Sequence, residues 1–432
     1  MQTDQKKWRI VRNMFFVAAV LLVLMSGMAS VPSSAYADGK IVNPDDKDMW
    51  ISVGMGLRGG LAMLENGSAN RASYTNSFGI DYARIYINGG ITKVIKYEFN
   101  TECFDCSGQG NPFGQTSNGG NGTVNIGLLD AIGKFEFNQH ANVWVGRLLV
   151  PASRGELNGP FFSATFNQYR TPFESSDFAG KYGNGGAGVY GRDNGVVFWG
   201  QVDRLQYSAG VSTGLQSSST TGPNQQNSPL FAGRLTYNFL NPEKNPGYYT
   251  SGTYYGKSGD ILALAVAAQH QKHGAGTFAN QADLTYIVSD LLFEKPLGND
   301  GDKGVITVNA EFQQFFAHYN NSATTGAFAP GVADCFCMFD GNSYYGSLMY
   351  LFADKVGMGR FQPYARFTSV QPNNSATRQE TEVGTNYIIS GFNARLAAFW
   401  QYGDLASLGT NYASNATGHF GNAVKWAFQV QY

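Results

Sequence analysis

Apolar and polar side chains alternate along most of the chain, in segments of about ten residues separated by turn residues such as Gly, Asn and Ser. The final segment shows the pattern most clearly. One face carries Val424, Trp426, Phe428, Val430 and Tyr432, and the other carries Ala423, Lys425, Ala427, Gln429 and Gln431. Because successive side chains of a strand point to opposite faces, this pattern predicts a strand with lipid on one side and water on the other.

Sixteen segments have this character, and the connections between them are mostly short and long in turn. They cover approximately residues 50–60, 77–88, 91–100, 123–137, 142–150, 194–202, 204–213, 229–239, 260–270, 282–293, 304–317, 342–353, 360–369, 380–389, 392–402 and 422–432. An even number of strands with short inner turns and long outer loops is typical of a transmembrane barrel. We therefore predict an all-β fold, an antiparallel transmembrane β-barrel. One inner connection, 240–259, is too long for a turn, and the pattern does not explain its length.

The composition disfavours a soluble alternative. Charged residues make up 14% of the chain, against about 25% in soluble domains. A soluble β-sandwich or propeller would need charged outer faces, whereas the outer faces predicted here are apolar and aromatic over a large area.

The first 37 residues have the features of a secretory signal peptide. Four basic residues precede the apolar run from Met14 to Met25, and Ala35-Tyr36-Ala37 forms a small-residue cleavage site. Cleavage there takes four basic residues and Asp4 from a chain with 30 basic and 31 acidic residues, leaving a net charge of −4. This balance excludes a nucleic-acid-binding protein held by a strongly basic surface. We predict residues 38–432 to be a barrel in a Gram-negative-type outer membrane.

The longest predicted connection, residues 151–193, follows the fifth barrel strand and has 43 residues. Loops of this length are usually functional or disordered, and the many Phe and Tyr residues of this one argue against disorder. One interpretation is a constriction loop folded into the lumen, with Arg154, Glu156 and Arg170 at the constriction. The other is a surface lid or a loop that contacts a second protomer.

Several basic residues fall on the predicted inner faces of the strands. Arg147, Arg234 and Arg366 lie near the middle of their strands, and Arg395 is also inward by alternation. Fixed charges in a narrow lumen set ion preference, so these residues predict a weak preference for anions. The alternative is that they pair with inward acidic residues across the wall.

The chain resembles the phosphate-selective porin O/P family of outer-membrane channels. The resemblance is carried by Val145-Gly146-Arg147-Leu148-Leu149-Val150-Pro151, Asn241-Pro242-Glu243, Pro246-Gly247-Tyr248-Tyr249, Tyr254-Tyr255-Gly256-Lys257 and Asp260-Ile261-Leu262-Ala263. It implies a trimeric 16-stranded barrel whose pore is narrowed by the loop after strand 5. The terminal aromatic residue is similar to the signal read by the barrel-insertion machinery. The family's central lysine cluster has no counterpart in this sequence, which leaves the transported solute open.

Four cysteines lie in two predicted outer loops, as Cys103-Phe-Asp-Cys106 and Cys335-Phe-Cys337. In an oxidising compartment such residues usually form disulfides, and four cysteines allow three pairings. A metal or haem site is the alternative. A c-type haem needs Cys-x-x-Cys-His, and residue 107 is Ser, so that motif fails. We expect no cofactor and no resident metal, and the sequence carries no recognisable catalytic motif, so we do not expect an enzyme.

These observations predict a porin for passive diffusion of small hydrophilic, anionic solutes. The expected partners are outer-membrane lipid, two further copies in a homotrimer, the barrel-insertion machinery and the solutes themselves. Two alternatives remain. One is a surface electron-transfer or metal-binding barrel that uses the four cysteines, and the other is a structural or adhesion barrel with a blocked lumen.

Overall fold

The computed structural model describes residues 39–66, 72–74, 76–104, 125–167, 191–214, 223–299, 301–316, 335–336, 341–373, 377–403 and 420–432. Residues 41–432 form one compact unit. Of residues 1–40, only Gly39 and Lys40 are described, as the first residues of a short strand. The predicted signal peptide lies outside the described residues.

The described residues form sixteen long strands and two short ones, which follow one another along the chain. The short strands are β1 (Gly39–Val42) and β13 (Cys335–Phe336). The long strands are β2 (Trp50–Leu64), β3 (Ser77–Gly90), β4 (Ile95–Phe104), β5 (Asn125–Glu136), β6 (Asn142–Leu149), β7 (Arg192–Val202), β8 (Leu205–Ser212), β9 (Leu230–Asn238), β10 (Ile261–Thr277), β11 (Gln281–Pro296), β12 (Val305–Phe316), β14 (Gly341–Leu351), β15 (Arg360–Pro372), β16 (Arg378–Ser390), β17 (Ala394–Gly403) and β18 (Gly421–Gln431). Each corresponds to one of the sixteen predicted segments.

The sixteen long strands close into an antiparallel barrel. Each pairs with the next along the chain, and β18 pairs with β2 in a ladder from Ala423↔Leu64 to Gln431↔Gly56. The terminal Tyr432 continues this seam, since its backbone N–H donates to the Met55 carbonyl at 2.8 Å. The predicted fold class, an all-β antiparallel barrel, is therefore confirmed. Because closure pairs the first and last long strands, the barrel has no free edge.

The two faces of the wall differ as the alternation predicts. On β10, Val266 is 52% exposed, while Ala265 and Ala267 are 1% and 2% exposed. Large apolar side chains are exposed in the same way on the outward faces of the other strands, for example Phe78, Leu235, Leu348 and Val430. An apolar outer face on a closed barrel fits a lipid environment. Among the described residues, no helix is long and apolar enough to cross a membrane.

Two connections differ from simple turns in the part of the chain that the structure describes. The segment after β6 begins with the single short helix of this part, α1 (Arg154–Asn158). The connection between β9 and β10, residues 239–260, is fully described. Side chains on the inner wall contact both segments, which therefore lie inside the barrel.

Candidate functional site

The segment after β6 enters the barrel through a capped helical turn. Ser153 is the N-cap of α1, and its Oγ accepts a hydrogen bond from the Glu156 N–H at 3.2 Å. The helix ends at Gly159, whose φ of 57° lies in the left-handed region that favours glycine. Between the caps, Leu157 packs against Trp144 and Leu148 on the wall. The local sequence thus forms a short helix that buries its one large apolar side chain against β6.

Arg154 joins this helix to the connection between β9 and β10. Its two terminal nitrogens donate to the two carboxylate oxygens of Glu243 at 2.7 and 2.6 Å. Its Nε donates to Asp290 of β11 at 3.2 Å, and all three side chains are buried. Burial alone would raise the pKa of the Glu243 carboxyl, but the charge and hydrogen bonds of Arg154 keep that pKa below its ordinary value. Glu243 is therefore ionised at neutral pH.

A second arginine completes this network from the wall. Arg234 of β9 donates to both oxygens of Asp290, with the Nη2–Oδ1 bond at 2.9 Å. The same guanidinium donates to the Ala152 carbonyl at 2.9 Å, so it also holds the start of the inserted segment. Asp290 lies directly opposite Glu311 in the β11–β12 ladder, and Glu311 accepts a bond from the Gly155 N–H at 3.3 Å.

Residues 161–167 then run along the far side of the barrel, where wall side chains donate to their backbone carbonyls. The bonds are Gln429 to Phe161 at 2.9 Å, Arg395 to Ser163 at 2.8 Å, Asn386 to Ala164 at 3.1 Å, Arg58 to Phe166, and Arg366 to Asn167 at 2.8 Å. The donors come from β18, β17, β16, β2 and β15. The segment therefore spans the lumen from β6 to the opposite wall.

Two phenylalanines anchor this part of the segment. Phe166 packs in an apolar cluster with Phe399 and Leu64, and the Arg58 guanidinium lies 4.1 Å from the centre of its ring. Phe161 rests on Gly56, where a Cβ would lie only 2.7 Å from the Phe161 ring. The prediction that the long loop folds into the lumen is thus confirmed for residues 151–167. Residues 168–190, which include Arg170, lie outside the described residues.

The long inner connection 239–260 also lies inside the barrel, which accounts for its length. The Gly252 N–H donates to the Phe162 carbonyl at 2.9 Å, and Asn309 of β12 donates to the Gly252 carbonyl at 2.9 Å. The buried Glu294 carboxylate accepts bonds from the Thr253 hydroxyl and the Tyr254 N–H. The hydrophobic pattern cannot reveal this arrangement, because a segment covered by wall side chains and a second loop has no two-residue period.

Tyr248 and Tyr249 of this connection extend it to the β5–β7 side of the barrel. Their rings lie 5.3 and 5.2 Å from the Trp144 ring, measured between centroids. Together the two inserted segments cover the inner faces of β10–β12 and β14–β18, where inward side chains such as Gln269, Asn309 and Gln401 are at most 2% exposed.

The inner face of β4 and β5 is more open where β4 begins and β5 ends. Lys96 pairs with Glu136, and their side chains are 35% and 21% exposed; Lys134 pairs with Glu98, at 10% and 11%. In the other salt bridges that the structure describes inside the barrel, no side chain is more than 8% exposed. Alternation places these four residues inward, but their sequence gives no sign that they stay accessible.

The register corrects the orientation predicted for Arg147. It pairs with Ala131 and Asn194, whereas the inward side chains of β6 are Trp144 and Leu148. Arg147 therefore lies on the outer face, near the outer end of β6, where its Nε donates to the Leu128 carbonyl at 3.2 Å. The physical reason is that the inner face of β6 is apolar, because it packs against Leu157 of α1.

The other described arginines predicted at the site do lie inside the barrel. Arg234, Arg366 and Arg395 each hold the inserted segment, and Arg366 also donates to Glu382 at 2.8 Å. Glu156 lies on α1 and is half-buried. A role of these residues in ion selectivity stays a prediction.

The cysteines are described only in part. Cys103, at the outer end of β4, is disulfide-bonded. The backbone of Cys335 lies in β13 and pairs with that of Thr277 at the end of β10. Cys106 and Cys337 lie outside the described residues. The pairing therefore stays open among the three alternatives. Within the described ranges, no group of three or more His, Cys, Asp or Glu side chains is arranged to hold a metal ion.

No family model matches the chain, and no curated protein matches it in sequence. Its fold is similar to that of an anion-selective porin from Comamonas acidovorans, with 12% identity, a TM-score of 0.54, and coverage of 88% of this chain and 99% of the other. It is also similar to OmpF of Salmonella typhi in a complex with daunomycin, with 12% identity, a TM-score of 0.51, and coverage of 89% and 98%.

At this identity the likeness shows the fold, which is that of a porin. A closed barrel of this fold with an apolar outer face is a protein of the Gram-negative-type outer membrane.

Proposed function

We propose that the protein is an outer-membrane channel through which small hydrophilic solutes diffuse passively. The observation that carries this proposal is the uneven filling of the barrel. Two inserted segments bury the inner faces of β10–β12 and β14–β18, while the Lys96–Glu136 pair on the opposite side keeps accessible charged groups. Polar, accessible side chains inside an apolar barrel fit a water-filled passage.

The preference for anions that the sequence predicts stays a prediction. Arg147 lies on the outer face, and Arg154, Arg234 and Arg366 are paired with buried carboxylates. Arg395 donates to Gln429 and to backbone carbonyls of the inserted segment. A charge that is paired with an opposite charge exerts little net field on a passing ion. The proposed channel function therefore does not depend on a preference for anions.

The relationship to the phosphate-selective porins, the homotrimer and the use of the insertion machinery remain proposals. The apolar outer face offers surface for lipid and for neighbouring protomers alike.

Among the described residues, no contact supports the cysteine-based alternative. Cys103 is in a disulfide, and a disulfide sulfur is not the thiolate that metal ligation requires.

Planar-bilayer conductance of the purified, folded protein in potassium chloride tests the proposal. We expect stable single-channel steps. A matched variant in which a short Gly-Ser linker replaces residues 154–167 should give larger steps, because the segment that crosses the lumen is removed. Folded barrels that give no conductance in either form would instead support a structural barrel with a blocked lumen.

A further inference from the structure

Four charged side chains form a compact arrangement on the inner faces of β4 and β5. Lys96 and Lys134 lie directly opposite each other in the ladder. Each pairs diagonally with a glutamate, Lys96 with Glu136 at 2.6 Å and Lys134 with Glu98. We call these four residues the four-charge block. Its formal charge is zero, and its two cations lie between its two anions.

Neighbouring side chains hold the block in place. The Trp144 indole N–H donates to Glu136 at 3.1 Å, and the Lys134 ammonium lies 3.9 Å from the centre of the Trp144 ring. Asn100 donates to Glu98 at 2.6 Å. The block is therefore a fixed arrangement of charges rather than a set of mobile surface side chains, and fixed charges define the field in a pore.

The block lies toward the inner end of the barrel, the end at which β2 begins and β18 ends. Lys96 is the second residue of β4 and Glu136 the last residue of β5. Trp144 connects the block to the inserted connection, because the Tyr249 ring packs against the Trp144 ring at a centroid distance of 5.2 Å. A solute that passes between the inserted segments and the β4–β5 wall therefore meets the block.

Accessibility separates the Lys96–Glu136 pair of the block from the other salt bridges that the structure describes inside the barrel. Lys96 and Glu136 are 35% and 21% exposed, while Arg84 and Glu102 of the same wall are 6% and 3% exposed. A buried pair is satisfied by its partner and shielded from solutes, whereas a partly exposed charge acts on an ion in the adjacent water.

We infer that the four-charge block sets the ion selectivity of the channel, and that its zero net charge gives the passage little preference between anions and cations. This inference rests on the proposed channel function. Loss of one glutamate would leave an unpaired ammonium and favour chloride, and loss of one lysine would leave an unpaired carboxylate and favour potassium. The balance of charges within the four-charge block, and not the arginines of the opposite wall, then determines the ion selectivity of the channel.

The experiment measures reversal potentials in a potassium chloride gradient for the full-length barrel and its variants. Two unit charges 4 Å apart in water interact by about 1 kcal/mol. Neutralising one charge of the block should therefore change the chloride-to-potassium permeability ratio by about two- to fivefold. We expect Glu136→Gln to raise the ratio and Lys96→Gln to lower it, because this pair is the more exposed one. The double variant should return the ratio close to that of the unchanged protein.

Glu102→Gln is the matched control. It neutralises a glutamate of the same wall that is buried against Arg84, so the ratio should stay within experimental error. If Glu136→Gln or Lys96→Gln does not fold, Glu98→Gln and Lys134→Gln test the second pair of the block in the same way.

The outcomes separate the two proposals. Folded channels whose ratios do not change in either single variant would overturn the inference and leave the channel function intact. A wild-type protein whose chloride-to-potassium permeability ratio is far from one would also overturn the inference and leave the channel function intact. Folded wild-type barrels that do not conduct would overturn the channel function and, with it, this inference.

Discussion

Arg154 and Glu243 form a two-bonded salt bridge between segments that enter the barrel from opposite ends, one after β6 and one between β9 and β10. Both side chains are 1% exposed. Because Asp290 and Arg234 share the network, the bridge fixes both segments to each other and to the wall.

Arg154→Met should destabilise the barrel by about 3–5 kcal/mol, because it leaves two buried carboxylates with one arginine fewer. Urea unfolding in detergent, followed by tryptophan fluorescence, measures this loss. Arg154→Lys is the control that retains the charge without the fork of two bonds, and it should lose less stability. A loss below about 1 kcal/mol for the methionine variant would show that the bridge does not hold the segments.

Acidification should weaken the same bridge. The pKa of Glu243 is below its ordinary value in the folded protein, so the stabilisation is fully present above the unfolded value of about 4.3. It is then lost as the pH falls through the lower folded value. The difference in unfolding free energy between the wild type and Glu243→Gln should be constant from pH 8 to pH 5 and shrink below about pH 4. A difference that shrinks already at about pH 6 would contradict this account.

Gly56→Val should displace Phe161 from the wall. A Cβ at position 56 would lie 2.7 Å from the Phe161 ring, and valine adds two methyl groups to it. Such overpacking typically costs about 1–3 kcal/mol, and we expect noisier single-channel currents as the segment loosens. Gly346→Val is the matched control, because a Cβ there meets no atom within 4 Å.

Arg147→Glu should leave the reversal potential unchanged. The inward orientation predicted from the sequence would have produced a shift toward cations, but the ladder places Arg147 on the outer face beside Asn194. Folding and conductance should be retained, because the position is near the outer end of β6. A clear shift toward potassium would show that the Arg147 charge reaches the passage after all.

The strands could be predicted from the sequence because lipid and water impose opposite demands on adjacent residues. That constraint locates all sixteen long strands, including the closing strand through Trp426 and Phe428. It fails at Arg147, where the inner face of the strand is apolar because Leu157 packs on it. The charged side chain then lies on the outer face, so the charge of a residue is not sufficient to predict that it faces the lumen.

The contents of the barrel were less predictable. The many aromatic residues of 151–193 indicated a folded loop, and Phe161 and Phe166 do anchor it. The partners of Arg154 could not be inferred, because Glu243 and Asp290 are 89 and 136 residues away in the chain. These residues come together only in the folded barrel, and the local alternation of apolar and polar residues does not indicate which distant residues will be in contact.

The hydrogen bonds along residues 161–167 imply an order of assembly. Their donors lie on β15, β16, β17, β18 and β2, and β2 comes next to β18 only when the seam closes. The inserted segment therefore cannot be fully seated while the barrel is still an open sheet. Its last contact, from Arg58 of β2, can form only with or after seam closure, so a barrel whose seam has closed and whose segment is not yet seated should be wider than the final one.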